Sequence, residues 1–278
     1  MIAQTDALSL LKKFSAAIVF TIFGSISLPA YAGTIFLSGD VSIVNPLVGS
    51  GGTGIDTGNQ KFFTNILQGG NRVVVDGDIS SFVRSTFSSS NIDRDLNSFY
   101  NSLPGVTSSI VTGTITFDVI SNANLFVSLV PAQSYTTAEL QSLRNFLDNG
   151  NSIFFLGDNN NLTSENSIIN DELTALGSNL RIINDNFDAG FNTATGSQIA
   201  SDSFTTGITT FTYAAPSRVS TVTGGENLFF GTNREAFVAY ERTETTQTTV
   251  PEPSFTFSLL VLGTTLSTNV LLKNFLKK

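Results

Sequence analysis

The chain has no cysteine, no histidine and no tryptophan among its 278 residues. Without thiols it forms no disulfide and offers no thiolate nucleophile or ligand. Without imidazole, the Ser-His-Asp and Cys-His arrangements, His-ligated zinc and imidazole general-base chemistry near neutral pH are all excluded. Any chemistry must then rest on carboxylates, tyrosine or lysine. Lysine barely contributes, because Lys61 is the only one between Gly33 and Val250. That stretch carries nine basic side chains against twenty acidic ones, a formal balance of −11. Nucleic acid and anionic lipid are poor partners for it, since either requires clustered Lys and Arg to neutralise phosphate. The lack of tryptophan leaves Tyr100, Tyr135, Tyr213 and Tyr240 as the stacking platforms a sugar could use.

The two ends supply what the middle lacks. Pro251, Glu252 and Pro253 precede an uncharged apolar run from Phe255 to Leu272, followed by Lys273, Lys277 and Lys278. As a helix the run measures about 27 Å, close to the roughly 30 Å hydrocarbon core of a bilayer. The prolines prevent a helix from reaching back into the preceding domain. The lysines are expected to stay on the cytoplasmic side. The alternative, a buried amphipathic C-terminal helix, requires a polar face of helical period that the run does not have. At the other end, Lys12 and Lys13 precede an apolar run from Phe14 to Leu28, and Ala30, Tyr31 and Ala32 form an A-x-A site. This reads as a secretory signal peptide, residues 1–32, cleaved to leave Gly33 first, with a retained N-terminal membrane helix as the alternative.

The order of proline-bracketed acid, membrane-length run and basic tail over residues 251–278 resembles the PEP-CTERM sorting signal of Gram-negative bacteria. The resemblance implies export by the secretion machinery and transient anchoring in the inner membrane by the C-terminal transmembrane helix. It also implies recognition of Pro251, Glu252 and Pro253 by an exosortase-like sorting enzyme, with final residence at the cell surface or outside the cell. Proteins with such tails are associated with exopolysaccharide and biofilm matrix.

The mature region spans 218 residues, enough for one large domain burying about 70% of its unfolded surface. Thr34–Leu37, Arg72–Val75, Leu125–Val130 and Ser152–Leu156 read as strands, with helical patterns between them, including one capped by Thr136 and Glu139 that carries Leu140, Leu143, Phe146 and Leu147. Such alternation predicts a three-layer α/β domain with a mostly parallel, doubly wound sheet over residues 33–183, closed by a strand near Leu180–Ile183. Residues 184–240 read as β-rich and are expected to extend the sheet by antiparallel pairing. Residues 241–250 read as a Thr-rich extended linker.

The passage from Thr136 to Asp158, a capped helix, Asn149-Gly150 and an apolar strand ending in Gly157-Asp158, resembles class I glutamine amidotransferase-like domains, which have a flavodoxin-like fold. In active members a nucleophilic cysteine occupies the sharp turn after that strand. Here the turn is Gly157, Asp158 and Asn159, and no histidine exists to assist. The resemblance therefore implies the scaffold without the chemistry.

Ligands of open parallel sheets bind beyond the carboxyl ends of the strands. Asp40, Asp76, Asp78, Asp158 and Asn159 directly follow expected strands. If those strands are neighbours, the side chains form one crevice able to hydrogen-bond a sugar or hold a Ca²⁺ ion, which takes six to eight oxygens. The alternative is that Asp, Asn and Gly simply build turns. Asn184, Asn186 and Asp188 have the spacing of an acidic calcium loop but lack its Gly and terminal Glu, and the glycines from Gly49 to Gly58 lack the lysine and order of a phosphate loop. No cofactor or dedicated metal set is implied. Two functions remain: a non-enzymatic exported binding or structural module linked to exopolysaccharide, or a carboxylate-dependent hydrolase of extracellular glycan acting through Asp76, Asp78 and Asp158.

Overall fold

The structure, a computed structural model, describes residues 31–44, 55–86, 91–221 and 224–244. The apolar runs Phe14–Leu28 and Phe255–Leu272, Ala30, the glycines from Gly49 to Gly54 and the motif Pro251–Glu252–Pro253 lie outside the described residues. Among the described residues no helix is long and apolar enough to cross a membrane.

Five short segments become the parallel strands β1 (Tyr31–Ser38), β2 (Arg72–Asp76), β3 (Thr107–Val111), β4 (Leu125–Leu129) and β5 (Ser152–Leu156), of which β3 is a half-exposed edge strand. Both β4 and β5 are buried at every position, as continuous apolar runs in a sheet covered on both faces must be. The antiparallel strands β10 (Gly225–Phe230) and β11 (Ala236–Glu244) complete a seven-stranded sheet of order β10-β11-β1-β5-β4-β2-β3. This mixed α/β architecture with its mostly parallel sheet fits a flavodoxin-like fold. The run β3-β2-β4-β5 reproduces the 2-1-3-4 order of that fold, and the fifth position is taken by β1, the first strand of the chain.

Strand periodicity sends alternate side chains to opposite faces. Phe36, Val73, Val75, Val127 and Phe154 pack on one side with helices α1 (Thr57–Asn65) and α3 (Ile92–Ser102). Ile35, Leu37, Val74, Phe126 and Phe155 pack on the other with α5 (Thr137–Asp148) and α6 (Thr163–Ala175). Two shorter helices, α2 (Ser81–Thr86) and α4 (Phe117–Ile120), lie in the connections. The capping box expected at Thr136 and Glu139 is present.

Two expectations about the second half are corrected. The strand at Leu180–Ile182, β6, does not join the parallel sheet: it pairs antiparallel with β9 (Val219–Thr221), while β7 (Phe191–Thr195) pairs with β8 (Thr210–Ala214). These ribbons lie against the faces of the sheet. Leu180, Ile182 and Val219 enter the core of α5 and α6, and Phe211 and Tyr213 enter that of α1 and α3. The reason is coverage, because β1, β11 and β10 widen the sheet beyond what four main helices can shield. The second correction concerns residues 241–244, expected in the linker but found within β11, where the Gly33 amide donates to Thr243 Oγ1 at 2.9 Å.

Contacts between the ribbon of β7 and β8 and the helical layer are close. A Cβ at Gly58 would lie 1.8 Å from the Thr210 carbonyl oxygen. Fully buried Asn59 donates to the carbonyls of Ile43 and Thr212 at 2.9 and 2.7 Å and accepts from the Thr212 amide at 2.8 Å. Aromatic rings fill the space, with Phe62 against Phe154, Phe211 and Phe229 and the last two stacked at 3.7 Å.

Candidate functional site

The connection from β2 to β3 runs toward one edge of the sheet and that from β4 to β5 toward the other, so the gap between β2 and β4 is a topological switch point. A cleft of about 650 Å³ opens there, lined among others by Asp76, Asp78, Arg84, Thr112, Tyr135 and Glu139. Its floor is the turn after β4. Val130 there takes φ +45°, a left-handed backbone that a β-branched residue rarely adopts, held by the Ser80 amide donating to its carbonyl at 3.0 Å and by its own amide on Leu156 at 2.8 Å.

Asp76 is buried at the end of β2. Its Oδ1 accepts the Asp78 amide at 2.9 Å and its Oδ2 accepts the Tyr135 hydroxyl at 2.5 Å. Ser128 Oγ lies 3.0 Å from that hydroxyl and has the proton to give it. Burial pushes the Asp76 pKa up, the two donors pull it back, and the charges of Asp78 and Glu139 push it up again. Burial likewise drives the Tyr135 hydroxyl far above its usual range, with Asp76 and Glu172 adding to the effect. Asp78 is exposed at the mouth and accepts the Gly113 amide at 2.7 Å.

Glu139 behaves differently although it is almost as buried. Burial opposes its charge, but donors from Ile115 N at 2.9 Å, Thr136 N at 2.8 Å and Thr136 Oγ1 at 2.7 Å outweigh that and hold its pKa below the normal value. Arg84 provides a cation on the cleft wall. It donates to the Gly77 carbonyl at 2.6 Å and pairs with buried Asp93 at 3.2 Å.

The five residues expected to share one crevice divide between two places. Asp76 and Asp78 line the cleft. Asp40, Asp158 and Asn159 lie beyond β1 and β5, on the far side of β4. There Asp40 is wholly buried, accepting the amides of Ser42 at 2.7 Å and Ala214 at 2.6 Å, and Asp158 accepts the Asn159 amide at 2.8 Å. Burial raises the Asp40 pKa to about 7, and burial and then the Asp40 charge raise that of Asp158. Residues 185–217 close over the pair: the Ser217 amide donates to Gly39 at 2.9 Å, leaving no room for a side chain at 39. Among the described residues no three acid side chains converge to hold a metal ion.

Sequence reading missed Glu172, which is 2% exposed and accepts the Tyr135 amide at 3.2 Å. The signal was there, since a glutamate three residues after Ile169 and four before Leu176 falls on the apolar stripe of its helix. Burial raises its pKa to about 8.

No protein-family model and no curated protein matches the chain. Among solved structures, the mmIFT52 N-terminal domain is similar at a TM-score of 0.40 and 13% identity, over 56% of this chain and 76% of that one. A Thermoplasma acidophilum protein described as a GMP synthase subunit is similar at 0.36 and 12%, over 63% and 80%.

Proposed function

We propose that this is an exported, non-enzymatic binding module of the cell surface or extracellular matrix, whose cleft between β2 and β4 holds a polyhydroxylated ligand such as a segment of exopolysaccharide. The observation that carries this reading is the lining of that cleft. Thr112, Thr114, Gln133 and Ser134 surround Asp76 and Asp78 with hydroxyls, an amide and carboxylates, and the chain has no imidazole or thiol to work on a bound ligand. Sugar hydroxyls need such mixed donors and acceptors in a concave site. Export and sorting belong to the same proposal: the signal at residues 1–32 hands the chain to the secretion machinery, the run Phe255–Leu272 anchors it in the inner membrane, and an exosortase-like enzyme acts at Pro251–Pro253.

A glycan array probed with the full-length chain, with calcium present and absent, tests the cleft. Binding that disappears in Asp78→Asn and Asp76→Asn is expected; binding unchanged in both removes the assignment. Mass spectrometry of the exported protein tests the sorting. A trimmed C-terminus is expected in wild-type cells, and a chain still reaching Lys278 there would overturn that part.

One observation favours a hydrolase as the second reading. Asp76, pushed toward its neutral form, sits beside Asp78 and the firmly ionised Glu139, and acid and base of opposite protonation are what carboxylate glycosidases use. Release of new reducing ends from an array-positive glycan, lost in Asp76→Asn, would establish it over the binding module.

A further inference from the structure

Tyr135 ties the outer wall of the cleft to the sheet through carboxyls from two different elements. Its hydroxyl donates to Asp76 on β2 at 2.5 Å, and its backbone amide donates to Glu172 Oε1 on α6 at 3.2 Å. The flanking residues Ser134 and Thr136 are exposed, so this side of the wall depends on that double attachment and on the box between Thr136 and Glu139. Glu172 is poorly provided for as an anion. It is buried, Oε2 has no hydrogen-bond partner, and the charges that act on it are Asp76 from β2, Glu139 from α5 and Asp171 on its own helix, all negative. An ionised glutamate in this position has one long amide bond to set against three like charges.

We propose that Glu172 and Asp76 form a proton-dependent latch on the Ser134–Thr136 wall, closed while the buried carboxyls retain a proton and released when the last proton passes to solvent. The neutral carboxyl keeps its oxygen on the Tyr135 amide without charge repulsion. Loss of the proton leaves two anions about the same tyrosine, and although the Tyr135 amide favours the ionised Glu172, movement of the exposed wall lets water reach that buried carboxylate, whose burial is the larger cost. Burial already holds the Glu172 proton to about pH 8, so the latch opens on the alkaline side of neutrality. The functional consequence, a cleft that admits ligand differently above and below that pH, rests on the binding site proposed above. The latch itself can be tested without a ligand.

Amide hydrogen exchange of the full-length chain, followed by mass spectrometry on peptides spanning residues 131–139 and corrected for intrinsic base catalysis, provides the test. Protection at Tyr135 is expected to fall about tenfold between pH 7 and 9 in the wild type, the change one titrating group can impose over that range. Glu172→Gln keeps the acceptor and removes the proton, so its protection is expected to stay flat; equal loss in both proteins overturns the latch. Asp76→Asn keeps the volume and removes one neighbouring charge, so the wild-type transition is expected to move to lower pH. A transition that does not move overturns the coupling, whether or not the glutamine variant folds. Failure of the glycan array leaves these outcomes unaffected, so the two proposals fail separately.

Discussion

Two gaps at the same edge of one sheet, between β1 and β5 and between β2 and β4, begin from the same residue types and end in opposite states. Each has an aspartate at or just past the end of a strand, in a polar turn. Beyond β1 and β5 the chain fills its own gap: residues 185–217 lie over Asp40 and Asp158, with Ala214 donating to the first and Ser217 closing on Gly39. Beyond β2 and β4 nothing comparable arrives among the described residues, and a cleft remains. The carboxylates of the sealed gap are structural groups that pay for their burial in pKa. In the open gap Asp76 is buried too, and Asp78 alone of the two is exposed. Asp residues after strands therefore mark one edge of the sheet, while later chain segments decide which of those positions stays open.

The largest expected effect breaks the seal. A Cβ at Gly39 would lie 2.1 Å from the Ser217 carbonyl oxygen, a backbone atom with little freedom to retreat, whereas at Gly77, beside the cleft, its nearest neighbours are methyls of Ile110 at 2.7 Å and Thr112 at 3.0 Å, with the Val111 carbonyl oxygen at 3.1 Å. Gly39→Ala is expected to cost about 3 kcal/mol in urea unfolding and Gly77→Ala about 1 kcal/mol, the two ends of the overpacking range. Equal costs would mean that the two gaps are not differently closed.

A smaller effect sharpens the electrostatic contrast. Asp40 has a folded pKa of about 7, above its unfolded value, so the folded state binds more protons and its stability is complete below about pH 4 and declines as pH rises through 7. Burial and then the Asp40 charge raise the Asp158 pKa as well, and Asp158→Asn keeps the oxygen that accepts the Asn159 amide while removing that second titration. It is expected to flatten the part of the decline that Asp158 contributes and to raise stability at pH 8, read by denaturation across pH 4 to 8. An unchanged slope would show that the sealed pair is not the source.

The smallest effect falls on the open side. Tyr135→Phe leaves Asp76 and Ser128 without the phenol between them and is expected to cost about 1 kcal/mol, the net worth of one such hydrogen bond. Because the Tyr135 donor lowers the Asp76 pKa, the same change should raise it, which the carboxyl carbon shift of Asp76 in a pH titration can follow. A lowered value would contradict the assigned hydrogen bond.

Much of the scaffold was readable in the chain itself. Continuous apolar runs such as Leu125–Leu129 and Ser152–Leu156 specify buried parallel strands, and Thr136 with Glu139 specifies where α5 begins, because these are local patterns of burial and capping. The ribbons were not readable. Val219–Thr221 and Thr210–Ala214 have strand-like text, but text of this kind does not say whether a strand extends a sheet or lies across its face. Glu172 went unnoticed for a related reason: its place on the apolar stripe is a local fact, while its attachment to Tyr135, 37 residues earlier, is not.

By itself the sequence determined the class of this protein and the chemistry closed to it, since alternating apolar runs specify an α/β sheet and a chain without imidazole or thiol cannot use either. Tertiary structure alone decided that β1 fills the fifth sheet position, that Asp40 and Asp158 are sealed together while Asp76 and Asp78 border a cleft, and that Glu172 stands behind them. Strand order and the path of the covering segment depend on contacts between residues far apart in the chain, and the burial that sets each carboxyl's protonation follows only once those contacts exist.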